Sequence, residues 1–369
     1  MPRCATAGTS LDELLTLAIP LCQQAQACCP RTGPGRPPQY DDWKLAVVIL
    51  CGVLKKLKSK SKQYRLVQQQ AKMLCARLEM DAIPARSTFF DRYPRVWPLV
   101  QHAIRLQGRV ALAEHVADAQ TTAVDKSLVA ARGPQWNQRD RRRGVVPKYL
   151  RGLDRDADWG ISGTRKWTYG YSYEVAVTAT RGSVVFPLLA SADVASANEH
   201  RSFLAKAPQL PRSCRTVLAD SGYDGNAQAE AVEGDRSSAR TLRSRRAPRM
   251  RMRRRTRMRR RFLCPLARAP GAWIGRGRRE RRRQQRAARH RFLQTRRGRK
   301  LYRRRGCTVE PFNAIFKRMF ELDEHVWHRG LGNNQTQLLT AIFAYQLLIR
   351  VHWKRGGRDA QVQYLLDGL

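Results

Sequence analysis

The chain has 369 residues and 42% apolar content, enough for two or three domains with a real core, which excludes a wholly disordered protein. Its 71 Lys and Arg against 29 Asp and Glu leave a formal charge of +42, which makes a polyanion, nucleic acid before a membrane surface, the natural partner. The longest apolar runs, LAVVILCGVL (45–54) and LLTAIFAYQLLI (338–349), are too short to span a bilayer, and nine scattered cysteines without C-x-x-C spacing signal neither a disulfide framework nor a zinc site and fit a reducing cytoplasm.

Residues 10–115 read as helical. Ser10 is a cap candidate for the first helix, and Asp12 and Glu13 interrupt its apolar stretch, so it does not read as a signal peptide. A Pro/Gly linker (32–42) precedes a buried helix over 43–57 and a helix over 59–80 with Leu66, Met73, Leu74 and Leu78 on its apolar side. After a turn at 81–86, Ser87 can cap a helix over 87–106 in which Phe89, Phe90 and Tyr93 pack. This order suits a DNA-binding helix-turn-helix or two helices of any bundle, and the lysines between 55 and 62 tip it toward DNA.

From about residue 119 the pattern changes. TTAVDKSLVAA (121–131), YGYSYEVAVTAT (169–180) and SVVFPLLASA (183–192) are strand-like, and the RG between the last two suits a hairpin turn. A helix over 196–207 and a short apolar strand in CRTVLADSGYDG (214–225) complete an α/β order. Between 236 and 300 arginine dominates and Glu280 is the last acid before residue 310. RMRMRRRTRMRRR (249–261) can bury nothing, which predicts disorder or a solvated helix, either as a DNA-tracking insert or as a decayed stretch of a mobile gene.

Three acids stand out by placement. Asp125 lies inside an apolar strand, where an ionised group is costly unless paired or metal-bound. Asp220 sits at the carboxyl edge of a strand, where α/β sheets place their sites. Glu310 is expected to open a helix in which Phe312, Ile315, Phe316, Met319 and Phe320 form one apolar face and Glu310, Asn313 and Lys317 a polar line. That face would dock the helix on the sheet with Glu310 beside the two aspartates and Lys317 free to meet a phosphate. Singly, each acid is more simply a turn, cap or surface residue. Jointly, in so basic a chain, the three make a cradle for two Mg2+ ions, with Mn2+ as a substitute.

AVDKS (123–127), LADSGYDG (218–225) and YRRRGCTVEPFNAIFK (302–317) resemble the three catalytic blocks of DDE transposases of bacterial insertion sequences. GRPPQYDDWKLAVVILCGVLKKLKSKSKQYR (35–65) and ARSTFFDRY (85–93) resemble that family's N-terminal domain, and WGISGTRKWTYGYSYEVAV (159–177) the segment before its second catalytic acid. The resemblance implies a ribonuclease-H-like mixed sheet flanked by helices, preceded by an all-α DNA-binding domain (1–116) and interrupted by the Arg-rich insertion (236–300), which splits the catalytic domain into 117–235 and 301–355 before a tail (356–369). It implies Asp125, Asp220 and Glu310 as catalytic metal ligands and Tyr302, Arg305 and Lys317 as DNA contacts. The family's helix runs Tyr, two residues, Arg, three residues, Glu, six residues, Lys; here Tyr302 and Arg305 stand one position too far upstream of Glu310. The implied function is metal-dependent cleavage and strand transfer at the terminal inverted repeats of an insertion sequence, by a homodimer on double-stranded DNA in the bacterial cytoplasm, nucleoid-associated and without a membrane. The rival is a decayed, catalytically inactive DNA-binding protein. Trp327 and His328 suit local packing, the histidines surface positions, and the acids of DRDADW (154–159) a solvated loop.

Overall fold

The computed structural model of the chain describes residues 9–29, 39–162, 166–234, 260–266 and 278–369. The first helices are α1 (Leu11–Cys28), α2 (Asp42–Leu54), α3 (Lys60–Gln69), α4 (Ala71–Leu78), α5 (Arg86–Arg92) and α6 (Trp97–Ala113). Ser10 caps α1 as its sequence suggests, its Oγ accepting from Glu13 N at 3.1 Å. The helix expected over 59–80 is broken at Gln70 into α3 and α4. The one expected over 87–106 begins without a side-chain cap and breaks at a 3-10 turn, Tyr93–Arg95, where Pro94 cannot donate a backbone hydrogen bond.

The sheet follows: β1 (Thr121–Ala130), then a short helix α7 (Gln138–Arg142), β2 (Asp158–Ile161), β3 (Trp167–Thr178), β4 (Pro187–Val194), α8 (Glu199–Lys206), β5 (Thr216–Leu218), α9 (Asn226–Glu233) and β6 (Arg261–Leu263). The strand order is β2-β3-β1-β5-β6, with β4 sharing the outer edge of β3 with β2. β1 runs antiparallel to β3 and parallel to β5, and β5 is parallel to β6. The chain ends in α10 (Arg278–Gln294), α11 (Arg296–Met319), α12 (Leu331–Lys354) and α13 (Gln363–Asp367). This is the ribonuclease-H-like mixed α/β fold that the resemblance implies.

The Arg-rich interval departs from its expected disorder. Residues 236–259 and 267–277 lie outside the described residues, but β6 adds an edge strand with Phe262 and Leu263 buried, and α10 and the start of α11 are helical. The apolar FLC triplet (262–264) supplies what the arginines lack. Carboxylates supply the rest: Arg282 pairs with Glu230 at 2.7 Å, and Arg286 pairs with Asp224.

The described helices before residue 117 pack on one another and on the rest of the chain. α6 packs on α1, on β4 and on α12, and the buried residues form one cluster from Leu14 to Leu366. α12 is the post through that cluster. Its Gln346 Nε2 donates to Ile104 O at 3.1 Å and to Pro187 O at 2.6 Å, tying α6 to the sheet edge. Two of the acids of 154–159 cap it, and the third, Asp158, pairs with Arg141. Buried Asp154 accepts from Gly330 N at 3.1 Å and Tyr171 Oη at 2.7 Å, and Asp156 accepts from Leu331 N at 2.9 Å. His328 is likewise buried, against Tyr93 Oη at 3.1 Å, and burial pushes its pKa down to about 3.

α6 meets the sheet at Gly108, where a Cβ would stand 2.8 Å from Leu188 O. The Gly108→Ala variant should therefore lose about 1–3 kcal/mol in equilibrium unfolding through forced separation of α6 and β4. Unchanged stability would show that the contact yields freely.

Candidate active site

β1 and β5 are parallel neighbours, with Ala123 opposite Leu218. Two residues further along each strand direction come Asp125 and Asp220. Side chains repeat every second residue in a strand, so the two carboxylates emerge on one side of the sheet at the same level. Asp125 is enclosed, its side chain 15% exposed, whereas Asp220 is 40% exposed. Asp220 also closes the turn after β5, its Oδ1 accepting from Gly222 N at 2.9 Å.

α11 crosses above them. Phe312 and Phe316 stack at 5.6 Å, Phe316 meets Tyr173 of β3 and Phe312 meets Tyr345 of α12, so the helix is clamped between sheet and post by the apolar face its sequence predicts. Arg305 Nη2 donates to Asp125 Oδ1 at 2.5 Å and stands 3.7 Å from Asp220 Oδ2. Asn313 Nδ2 donates to Asp125 Oδ2 at 2.9 Å, and Tyr173 Oη fixes that amide by donating to Asn313 Oδ1 at 3.0 Å. Burial pushes the Asp125 carboxyl up to about 6; the Arg305 guanidinium opposes that shift and the Asp220 charge adds to it.

Tyr302 and Lys317 also turn inward. Tyr302 Oη donates to Ala219 O at 3.2 Å. Lys317 Nζ donates to Leu128 O at 2.8 Å, and burial lowers its pKa, so it is not free on the surface as the sequence suggests. Glu310 does not open the helix: α11 begins at Arg296, with Pro311 in its interior. Glu310 is exposed, and no hydrogen bond or ion pair joins it to either aspartate. The reason is the extra residue. At 3.6 residues per turn one position is about 100° of rotation, so when Tyr302 and Arg305 face the sheet it is Val309, fully buried, that stands where the pattern needs the acid.

One acid that sequence reasoning missed is set beside Asp220. A Cβ on Gly222 would lie 2.8 Å from Glu199 Oε2 and 3.0 Å from Asp220 Oδ1, so the two carboxylates flank that glycine. Burial raises the Glu199 pKa, Lys126 lowers it and Asp220 raises it. An acid in the first turn of a helix is ordinarily a partner for the helix dipole, which is how Glu199 reads in sequence.

Oxygen ligands of two carboxylates suit a hard divalent cation, and a cationic group, the Arg305 guanidinium, already lies between them. The aspartates fit such an ion. Among the described residues, no group of three or more His, Cys, Asp or Glu side chains is gathered as a metal site, so a third acid is not in place.

Asp125 within β1 and Asp220 just beyond β5 thus face each other on a ribonuclease-H-like sheet. The sequence of residues 117–347, more than half of the chain, matches the family described as Transposase DDE domain, and the chain belongs to that family. Among curated proteins, none matches it in sequence. Among solved structures it is similar to the cryo-EM structure of a piggyBac transposase synaptic complex with hairpin DNA, at 10% identity and a TM-score of 0.33, covering 96% of this chain and 76% of that one. So loose a likeness carries no argument here. No helix among the described residues is long and apolar enough to cross a membrane.

Removing the guanidinium should expose the strain of paired acids. Arg305→Met is expected to cost roughly 3 kcal/mol at pH 7.5 without divalent ions. Added Mg2+ should restore part of it, and the deficit should shrink below pH 6. The raised folded pKa sets that sign, because Asp125 then holds a proton that the unfolded chain has released. Thermal unfolding across pH and Mg2+ checks all three; equal stability of variant and wild type would remove the ion pair from the argument.

Proposed function

We propose that the chain is an active transposase that cuts DNA at the ends of an insertion sequence and joins the freed 3′-hydroxyl to target DNA. The observation that supports this most directly is the pairing of Asp125 and Asp220 at one level of β1 and β5 under a bridging cation. Held by both carboxylates, Mg2+ or Mn2+ would supply the Lewis acidity that phosphodiester cleavage requires. Asn313 keeps the Asp125 carboxylate oriented, and Tyr173 keeps Asn313 oriented. Arg305 is the counter-ion of the DNA-free state. When DNA and metal arrive it is released toward a phosphate, the role the resemblance gives it together with Tyr302 and Lys317. A homodimer on paired ends follows the same family analogy.

Glu310 is the third acid of this reading. α11 is weakest just before it: Pro311 has no N–H for Cys307 O, and Thr308 Oγ1 bonds back to Arg304 O at 2.8 Å. One residue of widening in that turn, a π-type bulge, offset by one residue of tightening at Pro311, would absorb the extra position and swing Glu310 toward the aspartates while the buried Phe312–Phe316 face keeps its place. A second reading, an inactive DNA-binding copy, is favoured by the same misplacement of Glu310.

Cleavage of a supercoiled plasmid carrying the element's ends decides between them. Asp125→Asn, Asp220→Asn and Glu310→Gln should each lower the Mg2+-dependent rate at least about a thousandfold while DNA affinity changes little, since neutralising one acid leaves the basic surface intact. Full activity of Glu310→Gln with loss in Glu199→Gln would transfer the third role to Glu199. No cleavage by the wild type would establish the inactive copy.

A further inference from the structure

Away from the aspartates, a recess of about 430 Å3 opens where the start of α3, the end of β1 and the segment before α12 meet. Arg132, on its wall, lies seven residues beyond Asp125, about 20 Å along an extended chain, so this is not the site above. Three cations line it: Lys60, Arg132 and Arg329. Each is held by neutral groups. Lys60 Nζ donates to Asn333 Oδ1 at 3.2 Å, and Arg132 Nη1 donates to Trp327 O at 3.1 Å. The Arg329 guanidinium lies against Gly152 and Gly133, both in the left-handed region (φ +73° and +105°); a Cβ on Gly152 would stand 2.4 Å from Nη2 and 2.9 Å from Cζ. Glycine leaves that guanidinium in place, and glycine takes that backbone without strain.

Of the nearby acids, Asp154 and Asp156 are engaged on the backbone N–H groups of Gly330 and Leu331, and Asp91 acts on Lys60. Buried His328, on the same wall, is held neutral at ordinary pH by burial and by the charges of Lys60 and Arg132. Three positive charges thus share a recess whose lining includes no carboxylate. Burial disfavours charged Lys60, and Asp91 is too weak a counterweight to cancel that effect. Such a set is completed by an anion with several acceptor oxygens.

We propose that this recess is a second nucleic-acid contact of the protein, a seat for one backbone phosphate of the DNA strand. The occupant is chosen on charge: the partner in the proposed function is a polyphosphate strand, and a guanidinium pair with an ammonium matches phosphate oxygens. The seat would fix the spacing between the N-terminal helices, to which Lys60 belongs, and the end of β1. It rests on DNA as the partner but not on catalysis, so its test is run in EDTA, where failure of cleavage has no effect on the outcome.

The measurement is DNA affinity against salt for wild type and for Lys60→Gln, Arg132→Gln and Arg329→Gln, with Arg212→Gln on an exposed surface as the charge-matched control. Each recess variant should weaken binding several-fold and lower the slope of log K against log salt by about 1, beyond whatever the control does. Arg329→Lys should keep most of the slope, which separates lost charge from misfolding. A parallel arm heats each protein with inorganic phosphate against chloride at equal ionic strength. A phosphate-dependent rise in Tm that Arg329→Gln loses, with the DNA slope unmoved, would assign the recess to a free phosphate and overturn the DNA proposal. Recess variants indistinguishable from the control in both arms would overturn the site itself.

Discussion

A carboxylate placed inside a sheet must find a cation, and much of this structure is arranged around that need at Asp125. The ion pair with Arg305 ties the middle of α11 to β1, and the same guanidinium reaches toward Asp220 on β5. A buried pair of this kind gives little net stability, because desolvation offsets most of the attraction. What it does give is position. It fixes the rotation of α11, so that one row of the helix, Tyr302, Arg305, Asn313 and Lys317, bonds the sheet while Phe312 and Phe316 fill the space behind. On the proposed function the same pair is exchangeable, Arg305 giving way to a metal ion held by the aspartates.

The N-terminal helices and the sheet are joined by α12, most of whose residues are buried, polar ones included. Asn334 exchanges hydrogen bonds with the His328 backbone, Thr336 Oγ1 donates to Tyr93 O, and Arg350 pairs with Glu114 of the chain leaving α6. Those buried polar groups that find partners do so in one docking geometry and would be costly in others, so α12 specifies how the two parts meet. The change from helical to strand periodicity near residue 116 marks a change of secondary structure across which buried residues stay in contact.

How much of this was legible follows from what each signal depends on. The strands β1, β3, β4 and β5, the two aspartates and the apolar face of α11 were legible because each rests on local periodicity and on the rarity of an acid in an apolar run. The break between α3 and α4, the caps made by Asp154 and Asp156 and the burial of His328 were not, because their partners lie far off in sequence. The rotation of Glu310 away from the sheet was half legible: the extra residue before it is plain in the spacing, but only the burial of Val309 shows which side of the extra residue holds the register. Glu199 was hidden by an innocent context, and the order of β6 and α10 by composition, since ion pairs to Glu230 and Asp224 cannot be read from an arginine count.

Formal charge alone does not say which arginines meet DNA. The described arginines fall into groups by what holds them. Arg282, Arg286 and Arg305 are held by carboxylates, so a phosphate reaching them must displace an acid and bear the cost of leaving that acid unpaired. Arg132 and Arg329 are held by a backbone carbonyl and by the space two glycines leave, so a phosphate reaching them replaces only water and neutral contacts. On the proposed function, the first kind folds the chain and can be switched, and the second kind is ready. A protein with a charge of +42 needs both, because ready cations everywhere would bind any polyanion equally well, and cations all held by acids would bind none.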